Sequence, residues 1–256
     1  MRIAVLQHDI VWEDAAATRV ALEPNVAAAA AAGARLVVLT EMFATGFSMR
    51  PDRIAEPVDG PTERWLAQQA VDRDVWLVGS IAQRDDGRDG KAVNVAVVAG
   101  PGGERYRYEK IHPFSYAGED RYYRAGATPL VVDVEDLRLA VFVCYDLRFA
   151  DVFWELAHEV DGYVVVANWP AARREHWRAL LRARAIENQA YVIASNRVGV
   201  AGSRRDVDHA GDSAIIDPYG LVLAEASTDQ TMLLAEVTSE RVKSVRAEFP
   251  FLADRR

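Results

Sequence analysis

The chain has 256 residues, half of them hydrophobic, with 30 basic and 38 acidic side chains and a formal net charge of −8. That length suffices for one large core, and the acidic balance argues against general attraction to nucleic acid or anionic lipid. A lone cysteine excludes an intrachain disulfide, no apolar run reaches the ~20 residues of a membrane helix, and "MRIAVLQHDI" meets His8 and Asp9 too early for a signal peptide, so a reducing cytoplasm is the expected setting.

Arg2 to Gln7 reads as the first of several buried strands. The stretch "DAAATRVALEPNVAAAAAAGA" follows; its alanines favour helix, Gly33 supplies a stop, and Pro24 predicts a kink or break. The next strand, Leu36 to Thr40, ends on Glu41, where the loop "MFATGFSM" begins. Met42, Phe43 and Phe47 would surround that carboxylate with low-polarity surface suited to a proton acceptor, although a strand-end glutamate is more often simply solvated. "PTERWLAQQAVDRD" predicts a helix opened by Pro61 and Thr62, and Val75 to Ile81 and Val93 to Ala99 predict two further strands. Lys110 closes the run "ERYRYEK", with "IHPFSYAGED" after it. A solvent-facing lysine is the ordinary reading there.

Leu137 to Val143 predicts a strand that delivers Cys144 to a turn, where backbone N–H groups and a helix dipole can favour a thiolate. The local pattern leaves Cys144 balanced between core filling and chemistry, because free cysteines are commonly buried hydrophobes. Asp151 is placed to cap a short helix after it. Tyr163 to Ala167 and Tyr191 to Asn196 read as strands on either side of the helical "REHWRALLRARAIENQA". "SAIIDPYGLVLAEA" is a hairpin turning on Asp217 to Gly220, and "TMLLAEV" is a last strand. No linker or short-period repeat divides residues 1–256, so the expectation is one α/β domain of mixed strands with helices outside.

Glu41, Lys110 and Cys144 each lie just past a predicted strand, and strand ends along one sheet edge are where α/β sites assemble. Together they make a coherent base, oxyanion stabiliser and nucleophile. The segments "LTEMFATGFSM", "YEKIHPF", "VFVCYDLRF", "VANWPAARREHWRALLRARAIENQAYVIASNRVG" and "GDSAIIDPYG" resemble, in order, those of the nitrilase superfamily of carbon–nitrogen hydrolases, and most of all its compact ω-amidase branch.

The resemblance implies an αββα four-layer sandwich of two mixed sheets flanked by helices, paired with a second subunit as a homodimer or higher homo-oligomer. It also implies a triad: Glu41 as general base and acid, Lys110 as oxyanion stabiliser and Cys144 as nucleophile, with Glu119 in "SYAGED" as a supporting second glutamate. The reaction it implies is hydrolysis of a small primary amide, an ω-amide of a dicarboxylic or 2-oxo acid, through a thioester, with the backbone N–H of Tyr145 on the oxyanion. Water is the co-substrate and no cofactor is required. The sequence holds no His-x-x-x-His or Cys-x-x-Cys pattern for a metal. Pro113 departs from the leucine more usual in this branch, which puts the shape of the loop under the pocket in question.

Phe43, Tyr116 and Trp169 are candidate pocket walls, while Arg148 and Arg173 are candidate partners for a substrate carboxylate. Arg148 has a competing use, a structural ion pair with Asp146 or Asp151. Arg174, Arg178 and Arg182 line one helix face and read as a salt-bridged surface or subunit contact rather than a nucleic-acid site; His112 and His176 read as structural. The same fold also serves nitrilases and N-carbamoyl amino acid hydrolases. A thiol redox protein would leave the Glu41 and Lys110 segments unexplained, and an intact triad speaks against an idle binding module.

Overall fold

The computed structural model describes residues 1–84, 90–202 and 206–255. Along the chain, β1 (Arg2–Gln7) leads to α1 (Ala15–Ala31), β2 (Leu36–Val38), α2 (Pro51–Ile54), α3 (Pro61–Arg73), β3 (Trp76–Arg84), β4 (Ala92–Ala99) and β5 (Arg105–Glu109). The one-turn α4 (Glu119–Tyr122) and short β6 (Tyr123–Arg124) precede β7 (Leu130–Val134), β8 (Leu137–Val143), α5 (Ala150–Leu156), β9 (Gly162–Ala167), α6 (Arg174–Asn188) and β10 (Tyr191–Asn196). A hairpin of β11 (Val198–Ala201) and β12 (Val207–Ala210) is followed by β13 (Ala214–Ile216), β14 (Val222–Glu225), β15 (Thr231–Glu236) and α7 (Ser239–Glu248).

Two mixed sheets result. The first has the order β15-β1-β2-β3-β4-β5, with β6 beside β4, and the second the order β14-β13-β10-β9-β8-β7. Each has a parallel centre, β1–β2–β3 in one and β8–β9–β10 in the other, with antiparallel strands toward the edges. The period of two decides which residues face which layer. Ile3, Val5, Leu36 and Val38 join Leu139, Val141 and the other inward residues of the second sheet in one core. Ala4, Leu6, Val37 and Leu39 pack on the opposite side against Leu22 and Val26 of α1 and Leu66 and Ala70 of α3. On the second sheet, Trp177, Leu181 and Ala185 give α6 its buried stripe. Helix, sheet, sheet and helix therefore stack as the expected α/β sandwich.

Two local expectations are corrected. Helix α1 runs unbroken from Ala15 to Ala31 with Pro24 inside it. Pro24 is exposed, so the carbonyl its missing N–H would have engaged can be met by water, while Val26 and Ala29 beyond it hold the second half of the helix to the sheet. Asp151 does not cap α5: the cap position is Phe149, whose N–H donates to the Asp146 carbonyl, and Asp151 sits within the first turn. Gly33, at φ +82°, ends α1 as its sequence position suggested.

Candidate active site

Both sheets present strand ends at one place. Glu41 follows β2, Lys110 follows β5 and Asn94 lies within β4, all in the first sheet; Cys144 follows β8 and Asn168 follows β9 in the second. Lys110 Nζ donates to Glu41 Oε1 at 2.9 Å and to Glu119 Oε2 at 2.9 Å, and the three side chains are essentially buried. The expected second glutamate is thus beside the lysine, carried there by α4. Glu119 is held further by the N–H of Phe114 at 2.5 Å, a contact inside its own loop.

Asn168 ties the two sheets together at this point. Its backbone N–H donates to Glu41 Oε2 at 2.9 Å, and its side-chain Nδ2 donates to the Glu41 carbonyl. Glu41 therefore has one oxygen toward the lysine and the other toward the second sheet, and its charge acts on the Cys144 thiol. Behind it, Thr40 Oγ1 contacts His8 Nε2 at 3.1 Å, while His8 Nδ1 lies 2.9 Å from the Asp9 carbonyl. A carbonyl only accepts, so Nδ1 carries the ring proton and the Thr40 hydroxyl donates to bare Nε2.

Cys144 has φ +48°, in the left-handed region that side chains other than glycine rarely adopt, and opens a 3₁₀ turn over Cys144–Arg148. The turn is fastened by Asp146, which is fully buried. Asp146 Oδ2 accepts from the Val143 N–H at 3.0 Å and the Tyr108 hydroxyl at 2.8 Å, and its Oδ1 accepts from the backbone N–H and ring Nδ1 of His112, both at 2.9 Å. One carboxylate thus clasps the Cys144 turn to the loop that begins at Lys110. His112 also stacks on Phe149, ring centroids 3.8 Å apart, so its structural reading holds.

The electrostatics follow from burial. Desolvation pushes the Cys144 thiol well above its ordinary pKa, the Glu41 charge adds to this, and Lys110 offsets part of it. Burial pulls Lys110 the other way, but Glu119 and Glu41, with a smaller part from Cys144, outweigh it and drive its pKa upward. Glu119 is raised by burial and by Glu41, against the opposing pull of Lys110. The arrangement is a neutral thiol beside a buried base, with a permanent ammonium close by. Such a set can move a proton from sulfur as the sulfur attacks, and can hold a developing oxyanion.

A cavity of about 610 Å³ opens onto Cys144 and Asn168. Trp169, Tyr116, Arg148 and Arg173 line it; Trp169 is nearly buried and Tyr116 stands 84% exposed at the rim. Phe43 is a correction. It is fully buried in the core under α3, 5.9 Å from the Trp65 ring and against Gly79, and Phe47 occupies the cavity wall instead, with Lys110 Nζ 5.1 Å from its ring centroid. Arg148 lies 4.6 Å over Trp169, and its Nη2 is 3.3 Å from His176 Nδ1. Asp146 is already engaged by four donors and does not pair with it. Arg173 lies over Phe114 at 5.4 Å and Tyr116 at 5.9 Å. Among the described residues, neither guanidinium has a carboxylate within ion-pair distance. Arg174 and Arg178, by contrast, both pair with Asp212, at 2.8 and 2.6 Å. No group of three or more His, Cys, Asp or Glu among the described residues can hold a metal ion, and no helix among them is long and apolar enough to cross a membrane.

The carbon–nitrogen hydrolase family model matches residues 2–247. The chain belongs to the carbon–nitrogen hydrolases. This hydrolase is 36% identical to the omega-amidase YafV of Escherichia coli (strain K12), over 99% of the chain and 96% of that protein. It is 34% identical to the 2-oxoglutaramate amidase of Bacillus subtilis (strain 168), over 86% of the chain and 85% of that protein. Its fold superposes on a CN-hydrolase superfamily protein from Xanthomonas campestris, whose structure carries an arsenic adduct in the active site, with a TM-score of 0.93 and 34% identity over 100% of this chain and 97% of that one. The membership accounts for the two mixed sheets and for the place where their strand ends converge.

Asn94 and Asn168 escaped the sequence reading as site residues, and Asp146 entered it only as a partner for Arg148. Asn94 carried a usable signal, since it is the one polar residue in the otherwise apolar strand "AVNVAVVA". Asn168 and Asp146 lie just past strand ends, where nothing in the pattern separates a buried clasp from a solvated side chain.

Proposed function

We propose that this hydrolase cleaves the primary amide of a small carboxylate-bearing acid, an ω-amide of a dicarboxylic or 2-oxo acid, to carboxylate and ammonia. The observation that carries the substrate class is the pair of guanidinium groups, Arg148 and Arg173, that line the Cys144 cavity with no carboxylate partner among the described residues. A desolvated guanidinium fork suits a planar carboxylate, and the flanking Trp169, Tyr116 and Phe114 rings fit the short carbon chain between acid and amide. The names of the omega-amidase and 2-oxoglutaramate amidase relatives support the same class.

In this reading Glu41 takes the thiol proton as Cys144 forms a bond to the amide carbon. The carbonyl electron pair moves onto oxygen, where Lys110 and the Tyr145 N–H hold it. Glu41 then gives its proton to the departing nitrogen, and the C–N bond breaks to release ammonia and leave a thioester. Water, deprotonated by the same glutamate, attacks the thioester; the C–S bond breaks, the acid departs and the thiol regains its proton. Because burial holds the thiol neutral at rest, a base is needed for the first step, and Glu41 is the carboxylate whose charge acts on the sulfur.

The test is ammonia release from a panel of 2-oxoglutaramate, succinamate, neutral aliphatic amides, a nitrile and an N-carbamoyl amino acid, with Cys144→Ala alongside. Turnover concentrated on the carboxylated amides and lost in Cys144→Ala is expected. Activity confined to nitriles or carbamoyl compounds overturns the substrate class, and wild-type turnover by Cys144→Ala overturns the mechanism.

A further inference from the structure

Two carboxylates and one ammonium are buried side by side, and like charges so placed favour taking up a proton. Glu41 can serve as the base only while it is ionised. Lys110 alone supplies one positive charge between two acids, so the neutral donors around the pair bear on the outcome. Asn94 is the side chain that touches both acids: its Nδ2 lies 2.9 Å from Glu41 Oε1 and 3.2 Å from Glu119 Oε1, and the residue is 1% exposed.

The direction of that amide is fixed from the far side. Met42 N–H donates to Ser80 Oγ at 2.8 Å, and Ser80 Oγ lies 2.8 Å from Asn94 Oδ1. The Ser80 oxygen accepts from Met42 and its single hydroxyl hydrogen donates to Asn94 Oδ1, which leaves both amide hydrogens facing the carboxylates. The relay runs from the backbone beside Glu41, through Ser80 on β3 and Asn94 on β4, and back to Glu41. The Asn94 carbonyl also accepts the Lys110 N–H at 2.9 Å, so the same residue anchors the third charge.

We propose that Asn94 is a positioning residue of this site: its amide, keyed by Ser80, holds Glu41 and Glu119 as an ionised pair around Lys110 and so sets the acid limb of turnover. This rests on the reading of Glu41 as the base for Cys144. The other titratable groups facing the pair are Lys110, Cys144 and Tyr123, with Glu13 behind Tyr123. Tyr123 donates to the Ser48 carbonyl at 2.7 Å, its pKa is raised by burial, and it stays neutral across the working range. The carboxylates are therefore the groups whose protonation the amide controls.

The sign follows directly. A donor to an ionised carboxylate favours that form, so its removal makes protonation easier and moves the acid limb to higher pH. The experiment measures kcat/KM against pH, and separately the pH dependence of Cys144 alkylation by iodoacetamide, in wild type, Asn94→Ala and Ser80→Ala, with folding checked by tryptophan fluorescence. Asn94→Ala is expected to move both acid limbs upward by about one pH unit, the equivalent of ~1.4 kcal/mol, with KM within about twofold. Ser80→Ala keeps the amide but frees its orientation, and a smaller shift in the same direction is expected. A fall in kcat with unmoved limbs overturns the proposal, since a merely structural residue would behave that way. If Asn94→Ala does not fold, Ser80→Ala decides alone by the same criterion. Loss of turnover in Cys144→Ala together with unmoved limbs here rejects Asn94 and leaves the nucleophile reading standing; retained turnover in Cys144→Ala rejects both.

Discussion

His8 lies against Thr40 at the end of β2, 3% exposed, and its pKa is pushed down to about 4 from 6.5, chiefly by burial, with the Arg197 charge acting in the same direction. Its neutral ring accepts the Thr40 hydroxyl next to Glu41. In the unfolded chain the ring takes up a proton below about pH 6.5, whereas in the folded chain it stays neutral down to about 4. Unfolding therefore binds a proton in that window. Stability is unaffected above it, falls as pH drops from 6.5 toward 4, and is fully reduced below 4.

At about 1.36 kcal/mol per pKa unit, the loss is ~1.4 kcal/mol at pH 5.5, ~2 kcal/mol at pH 5 and at most ~3.4 kcal/mol at lower pH. His8→Asn removes the titration. The variant is expected to be less stable at neutral pH, because the Thr40 contact and some packing are lost. The gap should then close by ~1.4 kcal/mol at pH 5.5 and by ~2 kcal/mol at pH 5. Urea unfolding of both proteins, followed by circular dichroism at pH 7.5, 6.5, 5.5 and 5.0, reads this difference. His209, half-buried and lowered to about 4, is common to both proteins and cancels. A stability gap that stays constant across those four conditions refutes a buried neutral His8.

Two further outcomes follow from contacts in and under the cavity. Arg148→Ala should lower kcat/KM on carboxylated amides by roughly 10- to 100-fold, the range of one charge-assisted hydrogen-bonded pair, while changing neutral amides by less than about threefold; an equal loss on both rejects carboxylate binding. A Cβ added at Gly126 would stand 2.2 Å from the Glu109 carbonyl oxygen, and the Gly126 N–H donates to the Lys110 carbonyl at 2.8 Å. Gly126→Ala must therefore shift the backbone that carries the lysine, and steady-state kinetics should show kcat reduced by about 10-fold or more. Wild-type kcat in that variant would show that the loop absorbs the methyl without moving Lys110.

Strands with continuous apolar runs were readable almost to the residue. Leu137 to Val143 and Tyr191 to Asn196 match β8 and β10 at both ends, because apart from the exposed Arg138 both are buried along their whole length. Edge and surface strands such as β7, β11 and β12 were not, since Leu130 and Val131 are only half buried and β12 begins on the exposed pair Val207 and Asp208. Of the site, Glu41 and Cys144 were legible because each ends an apolar strand, whereas Lys110 closes the polar run "ERYRYEK" and, like Glu119, was singled out by its company and by resemblance. The neutral hydrogen-bonding residues that orient them were not. An asparagine's value here lies in the partners it bridges across sequence separations of 53 and 127 residues, and no local pattern records that. Phe43 and Phe47 show the same limit: the turn at Met42, φ +39°, decides which aromatic goes to the core and which to the cavity.

The division of the site between the layers has a mechanical meaning. Glu41 and Lys110 ride on one sheet, Cys144 on the other, and the core between them is apolar and lacks hydrogen-bonded registration of its own. Cross-sheet bonds such as Asn168 to Glu41, and Ser195 to the Leu6 carbonyl at 2.9 Å, act as locating pins between two plates. A lateral slip of a fraction of a bond length would part base from thiol before it exposed any core. The chemistry is thus a finer gauge of sandwich alignment than any spectroscopic signal of folding, and the chain can lose its reaction while keeping its shape.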